Sequence, residues 1–419
     1  MCYSVALLSC MQTLYPNLGA DAREPRRPNH QTPMTLSWLI VGAGIHGMHA
    51  ALQFVTHGRV LHAGIRILDP HETPLDNWTS TTRAVGMSYL RSPSVHHLHW
   101  DQGSLNLFAR IQHRDNAAEY IPPYSRPSLS LFNAHASHVI AKHRLDFLLE
   151  RATVRSLRSA GPEWIAETDQ GAVRAHNVVL ALGRSGQPEW PQWAQPYRET
   201  RRIVHAFDCS YAPPASGETA VVIGGGLTAV QIATYFARDG SGRTVLIHRH
   251  PFRVHDFDAD VGWMNPIHLR GFAQVPSWSE RRRIIGEARH RGSITTDMAA
   301  HLRDLQAEGH LDVIRSEVQS VLDRDAKLAL LTDAGTVVTD HVVLATGFER
   351  RRPGGQLVDS LIYDHGLPVA DDGYPIPSPA LRWAPGLYVM GALAELQVGP
   401  AANNIIGARL AAQRILSGL

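Results

Sequence analysis

With 419 residues, 44% of them hydrophobic and 19% charged, the chain is long enough for two or more domains and apolar enough to fold over most of its length. Its 40 basic side chains against 38 acidic ones leave a formal charge of +2, which excludes the electrostatic footprint of a nucleic-acid or anionic-membrane binder. The only cysteines are Cys2, Cys10 and Cys209, which excludes a disulfide framework, a CxxC redox pair and a cysteine-rich metal site, and no run of about 18 apolar residues predicts a membrane span.

Cysteine usage points to a reducing, cytoplasmic setting. Residues 1–34 read unlike the rest: a weakly apolar stretch precedes DAREPRRPNHQTP, and no basic region leads into it. They predict a flexible tail rather than a signal peptide, with Met34 directly before the first strand.

The segment SWLIVGAGIHGMHAALQFVTHG predicts a short apolar strand, a glycine turn and a helix, and IRILD a second strand. Gly42, Gly44 and Gly47 form GxGxxG, and Asp69 stands 27 residues after Gly42. In such a unit the first glycine permits the tight turn. The second lets a pyrophosphate approach the backbone, and the third lets helix and strand pack. The helix N-terminus offers unpaired N–H groups, and the acid accepts from ribose hydroxyls. Further on, His96, His97 and His99 form HHxH. Without acidic or cysteine partners nearby they read as a loop lining a ligand rather than a metal site.

TAVVIGGGLTAVQIATYFARDG repeats the pattern with Gly224, Gly226 and Ala229 as GxGxxA, and RTVLIHRH supplies the next strand. Arg249 stands where the acid would be, and an arginine there suits a 2′-phosphate; the alternative is a solvated strand-end charge. The first unit is therefore expected to hold FAD and the second NADPH. HDFDADVGWMNPIHL (255–269) is an excursion beyond the minimal fold. Its Asp256, Asp258, Trp263 and Asn265 either face an amine substrate or are ordinary loop polarity. Arg281, Arg282, Arg283, Arg289 and Arg291 read as a solvated helix face.

HNVVLALGRSGQPEWP (176–191) and DHVVLATGFERRRPGG (340–355), the latter with Thr346 and Gly347, read as the strands by which the chain leaves the first fold and re-enters it. The fold class expected is α/β, with two Rossmann-like dinucleotide-binding domains, the NADPH domain inserted into the FAD domain. The first domain would cover 35–212 and 339–419 and the second 213–338, behind the 1–34 tail. Near the C-terminus a strand, Gly391 and a helix from about Pro400 are expected. That helix start, with Asn403 and Asn404, would point donors at the flavin or supply only first-turn polarity.

The paired fingerprints, the ATG and the terminal helix together resemble the class B flavin-dependent monooxygenases, which include flavin-containing monooxygenases, Baeyer–Villiger enzymes and the ornithine and lysine N-hydroxylases. The resemblance covers nearly all of 35–419. It implies that NADPH reduces FAD, that a C4a-peroxyflavin forms, and that one oxygen atom passes to a small nucleophile, by N- or S-hydroxylation first. TRAVGMSYLRSPSVHHL (82–98) resembles the stretch beside the flavin in the N-hydroxylases, which marks Met87, Ser88 and Arg91 as catalytic candidates. Arg91 would stabilise negative charge on the cofactor or serve as a surface salt bridge. RRIVHAFD carries His205 where the family's signature lies but lacks the upstream Phe-x-Gly.

The partners expected are a small-molecule substrate and dioxygen, with neither nucleic acid nor membrane, and with a homo-oligomer left open. No metal is expected. Two other functions stay open: a flavoprotein reductase without a disulfide centre, and a non-catalytic flavin-binding redox sensor.

Overall fold

The structure, a computed structural model, describes residues 35–419 apart from 59 and 185. The expected tail, with Cys2 and Cys10, lies outside the described residues. The chain enters through β1 (Leu36–Val41), the glycine turn, α1 (Ile45–Thr56) and β2 (Ile65–Asp69), and later reaches β3 (Leu149–Arg151). An antiparallel meander follows: β4 (Val154–Ala160), β5 (Glu163–Thr168) and the long β6 (Gly171–Leu180). β6 then runs parallel to β1, pairing Leu180 with Val41.

The second sheet begins with β7 (Ile203–His205), β8 (Thr219–Ile223), α2 (Leu227–Asp239) and β9 (Arg243–His248). After helices α3 (Trp278–Ala288) and α4 (Thr296–Ala307) come β10 (Asp312–Arg315), a second meander, β11 (Val318–Arg324), β12 (Lys327–Thr332) and β13 (Gly335–Thr339), and then β14 (His341–Leu344). The sheet order is β10-β9-β8-β14-β7, with every pairing parallel. The chain returns to the first sheet through β15 (Arg382–Ala384) and β16 (Leu387–Val389), giving the order β15-β16-β6-β1-β2-β3, and ends in α5 (Ile405–Ser417).

Parallel strands covered on both faces need apolar residues at consecutive positions. In the second sheet Val221, Val245 and Val342 pack on one side. Their neighbours Val222, Leu246 and Val343 pack on the other, as the two-residue alternation of a strand requires. In the first sheet Leu39, Ile40, Ile67, Val178 and Val179 share one core with Met48, Leu52 and Phe54 of α1.

The expected breaks at 212/213 and 338/339 fall inside the second sheet. β7 lies ahead of the first break and β14 beyond the second, because the Val342–Leu344 run fills the place between β8 and β7. The strand at 340 therefore belongs to the second sheet, and the crossing lies after it. The outgoing and returning segments zip together there: Glu189 N–H donates to Gly347 O at 2.9 Å and Glu349 N–H to Gln187 O at 3.0 Å. The final helix starts at Ile405 rather than Pro400; Pro400–Asn403 is a turn of 3-10 helix and Asn404 is the N-cap. No helix among the described residues is long and apolar enough to cross a membrane.

Candidate functional site

Each sheet ends in a glycine turn built by the same device. Gly42 sits at φ +111°, and a Cβ there would lie 2.4 Å from Ala181 O. At Gly47 a Cβ would meet Gly42 O at 1.8 Å, so helix and turn touch backbone to backbone. Gly44 differs: a Cβ there would meet nothing within 4 Å. It is the N-cap of α1, which has no side-chain cap and no acid in its first turn. The first N–H groups of the helix thus face open space with no internal competitor, which suits an anion.

Asp69 ends β2 as expected, and its carboxylate holds the turn: Oδ2 accepts from Ala43 N–H at 2.7 Å, and Oδ1 from His71 N–H at 2.9 Å. His71 Nδ1 lies 2.6 Å from the same oxygen. A carboxylate has about four lone-pair sites, so one acceptor position remains.

In the second turn Gly224 would place a Cβ 2.4 Å from Ala345 O, and Ala229 is fully buried behind it. Gly226 N-caps α2, again without a capping side chain or first-turn acid, and lies under Gly292, whose Cα would be 3.3 Å from an added Cβ. Arg249 stands just past β9. Its side chain is 65% exposed, and its ion pair with Glu317 spans 3.5 Å. So loose and wet a pair holds the guanidinium weakly.

The C-terminal turn reaches back to the first helix: His46 Nε2 lies 2.9 Å from Ala402 O, and burial lowers the His46 pKa against the opposing pull of that bond. Gly391 faces the His46 ring, with a would-be Cβ 3.6 Å away. Asn403 Nδ2 lies 3.5 Å from Glu395 Oε2, and the Asn404 side chain makes no capping bond. Thr346 Oγ1 donates to Glu189 O and lies 3.3 Å from Nε2 of buried His205. Burial brings the His205 pKa to about 4. Gly347 is open, with nothing within 4 Å of a would-be Cβ. Both polar groups sit at the crossing between the sheets.

Several sequence expectations need correction. Arg91 is not free to face a cofactor. Nε donates to Asp256 O at 3.2 Å, Nη1 pairs with the Asp258 carboxylate, and Nη2 reaches His255 O, Phe257 O and Ser293 Oγ at 2.7–2.8 Å. It is a strut from the first fold to the 255–258 segment. Met87 is half-buried and packs against the core of the second fold, while the Ser88 side chain is exposed and only its carbonyl is engaged, accepting from Leu129 N–H at 2.8 Å, so neither side chain is withdrawn from the role expected of it. The 255–269 excursion is docked in the same way: Asp256 accepts from Thr296 N–H, Asn265 caps the following helix at Ile267 N–H, and Trp263 packs on Phe272.

Nor is the arginine run a solvated face. Arg281 is 6% exposed and donates to Leu396 O and Gln397 Oε1, both at 3.0 Å. Arg282 and Arg289 both pair with Glu395, which is 1% exposed. Burial pushes the Glu395 carboxyl up, but the two guanidinium groups outweigh it and hold its pKa below the ordinary value. Arg283 behaves as expected, pairing with Glu280 and Glu287 in the open, and Arg291 is likewise exposed. The signal in the sequence was Glu395 itself, one acid inside the apolar run GALAELQV, where an unpaired charge is too costly to bury.

The HHxH residues sit in a buried histidine cluster. His49 Nδ1 lies 2.6 Å from Leu98 O, and Ser104 Oγ 2.9 Å from His135 Nε2. The His97 and His135 rings meet edge to face at 4.8 Å, and Arg409 donates to Val95 O and His99 O. Burial, then Arg409, lowers the pKa of His49 to about 3 and of His96 to about 4; burial, then His135, brings His97 to about 2. Among the described residues no three His, Cys, Asp or Glu side chains converge as metal ligands.

A family model described as pyridine nucleotide-disulphide oxidoreductase matches residues 39–290. No curated protein matches the sequence. Among solved structures, the chain is similar to the FAD-bound cadaverine monooxygenase of the desferrioxamine pathway from Erwinia amylovora (14% identity, TM-score 0.70, covering 92% of this chain and 95% of that one). It is also similar to ornithine hydroxylase from Pseudomonas aeruginosa (16%, 0.71, 92% and 98%) and to L-lysine 6-monooxygenase from Pseudomonas syringae (18%, 0.70, 91% and 98%). At these identities the likeness is one of fold, and it extends along almost the whole of each chain.

Proposed function

The chain belongs to the pyridine nucleotide-disulphide oxidoreductase family, and we propose that it is a monooxygenase that binds FAD in the first turn and NADPH in the second. The observation that carries this reading is the pair of glycine turns, Gly42–Gly47 and Gly224–Ala229, each at an uncapped helix N-terminus with no acid in its first turn; the first is open at Gly44 and the second lies beneath Gly292. The substrate is a small nucleophile, with an amine nitrogen first. The similar structures named for cadaverine, ornithine and lysine support that choice.

Bound together, the two cofactors supply hydride transfer and the activation of dioxygen for delivery of one oxygen atom. The chain's residues hold and orient them. Gly44 leaves room for the FAD diphosphate on the N–H groups of α1, and the remaining acceptor site of Asp69 faces a ribose hydroxyl. Gly391, Asn403 and Asn404 border the flavin end, the last two as donors. The uncapped α2 terminus at Gly226 would hold the NADPH diphosphate, and the loosely held Arg249 would receive the 2′-phosphate. Thr346 and Gly347 line the crossing between the two sites. The docked 255–269 segment and the arginines around Glu395 close the seam and keep water from the reacting centre.

The test is NADPH-driven oxygen uptake by the FAD-loaded protein across aliphatic diamines, amino acids and thioethers. Oxygen uptake and NADPH oxidation that rise together on adding one amine, with a hydroxylated product, is the expected result. NADPH oxidation that answers only to a quinone or protein acceptor would replace this reading with a reductase. The family's own description favours that second reading, and Cys209, the single cysteine among the described residues, restricts it to acceptors other than a disulfide centre.

A further inference from the structure

A cavity of about 50 Å³ lies at the seam between the two folds, between α2, the start of α4 and the 86–91 segment. Its wall is rich in donors. Thr295 is 1% exposed, yet its Oγ1 has no hydrogen-bond partner. Gln231, one turn into α2 and 6% exposed, makes no side-chain hydrogen bond among the described residues, and neither do Ser88, Arg238 and His301, which line the same space. A buried hydroxyl left unpaired is costly, so the site calls for a ligand.

Charge and size narrow the choice. Arg126, 4% exposed, is paired with Asp297, and Arg91 with Asp258. Among the described residues of the wall Arg238, which is exposed to solvent, is the one arginine without a carboxylate partner, which fits a monoanion rather than a dianion. At about 10–15 Å³ per water-sized volume, the cavity takes a group of a few heavy atoms. A planar group with two acceptor oxygens would meet hydroxyl, amide and guanidinium donors together. We propose that this seam cavity is a binding site for a small monocarboxylate, with Thr295, Gln231 and Arg238 as its principal donors. The site runs along the flank of α2 from Leu227, the residue that follows the Gly224–Gly226 turn, and it does not depend on the oxygen chemistry proposed above.

The test is calorimetric titration of the purified full-length, FAD-loaded protein with sodium acetate at constant ionic strength. Sodium sulfate and sodium chloride serve as parallel titrants. Saturable acetate binding at one site is expected, weakened about tenfold by Thr295→Val and by Gln231→Leu and restored by Thr295→Ser. Arg238→Gln should abolish it. Thermal melts of each variant separate loss of the site from loss of the fold. Absent acetate binding, binding unchanged in the folded variants, or sulfate taking the site in preference would each overturn the proposal.

Discussion

Arg289 Nη2 donates to Glu395 Oε2 at 2.7 Å with both side chains out of solvent, 11% and 1% exposed. Arg282 takes the other oxygen of the same carboxylate, and Arg289 Nε also donates to Pro400 O at 3.0 Å. The α3 region of the second fold is thereby fastened to the 395–403 turn of the first, the turn that also contacts His46 at the first glycine loop. Breaking a buried pair by removing one partner strands a charge. Glu395→Leu should therefore lower unfolding free energy by about 3 kcal/mol or more in denaturant titration. A loss below about 1 kcal/mol would mean that the seam does not rely on this acid.

The histidine cluster makes stability depend on mild acidity. His49, His97 and His135 are buried, with pKa values brought to about 3, 2 and 3. A histidine held below its unfolded value of about 6.5 binds fewer protons folded than unfolded. Its stability is complete above about pH 6.5 and falls as the pH drops from there toward the folded values. At about pH 5.5 each should cost about 1 kcal/mol. Melting curves at about pH 7.5 and pH 5.5 should differ by several degrees, and His135→Phe should narrow the gap. A midpoint that stays constant across this range would contradict the neutral cluster.

Two glycines of one motif should respond in opposite ways. Gly47→Ala drives a methyl into Gly42 O and should destabilise the protein by about 3 kcal/mol. Gly44→Ala meets nothing in the protein and should fold within about 1 kcal/mol of the parent, yet bind FAD weakly because the methyl occupies the phosphate's place. Denaturant titration and FAD fluorescence quenching measure the two effects. Normal FAD affinity in a folded Gly44→Ala protein would remove this turn from the cofactor site.

Arg249→Ala should leave stability unchanged, since the side chain is exposed and its ion pair long. It should weaken NADPH binding about tenfold or more while sparing NADH. Equal weakening of both coenzymes, measured by reduction rates at varied concentration, would count against the 2′-phosphate assignment.

The glycine turns were legible because strand, glycine turn, helix and strand follow one another in sequence and Gly47 packs on Gly42 five positions away, even though the strand ends that crowd Gly42 and Gly224, Ala181 and Ala345, come from far along the chain. The domain breaks were not. Which sheet takes the strands at 203 and 341 depends on pairing between residues more than a hundred positions apart, and VVL reads the same in either sheet. Arg282 was misread for a related reason, which also hid the partner that makes Arg91 an ion pair, one of its two expected roles. A charge on a loop or helix looks solvated until the segment that buries it is known, and both partners, Asp258 and Glu395, lie more than a hundred residues away.

Whether electrons pass between two nucleotides held by this one chain is the most direct question. The purified protein, incubated with FAD and freed of excess, should be yellow. Mixed with NADPH without oxygen, it should bleach in a single turnover, and the colour should return when oxygen is admitted. Protein that stays colourless after incubation with FAD, or that binds FAD but keeps its colour under NADPH, would contradict the account.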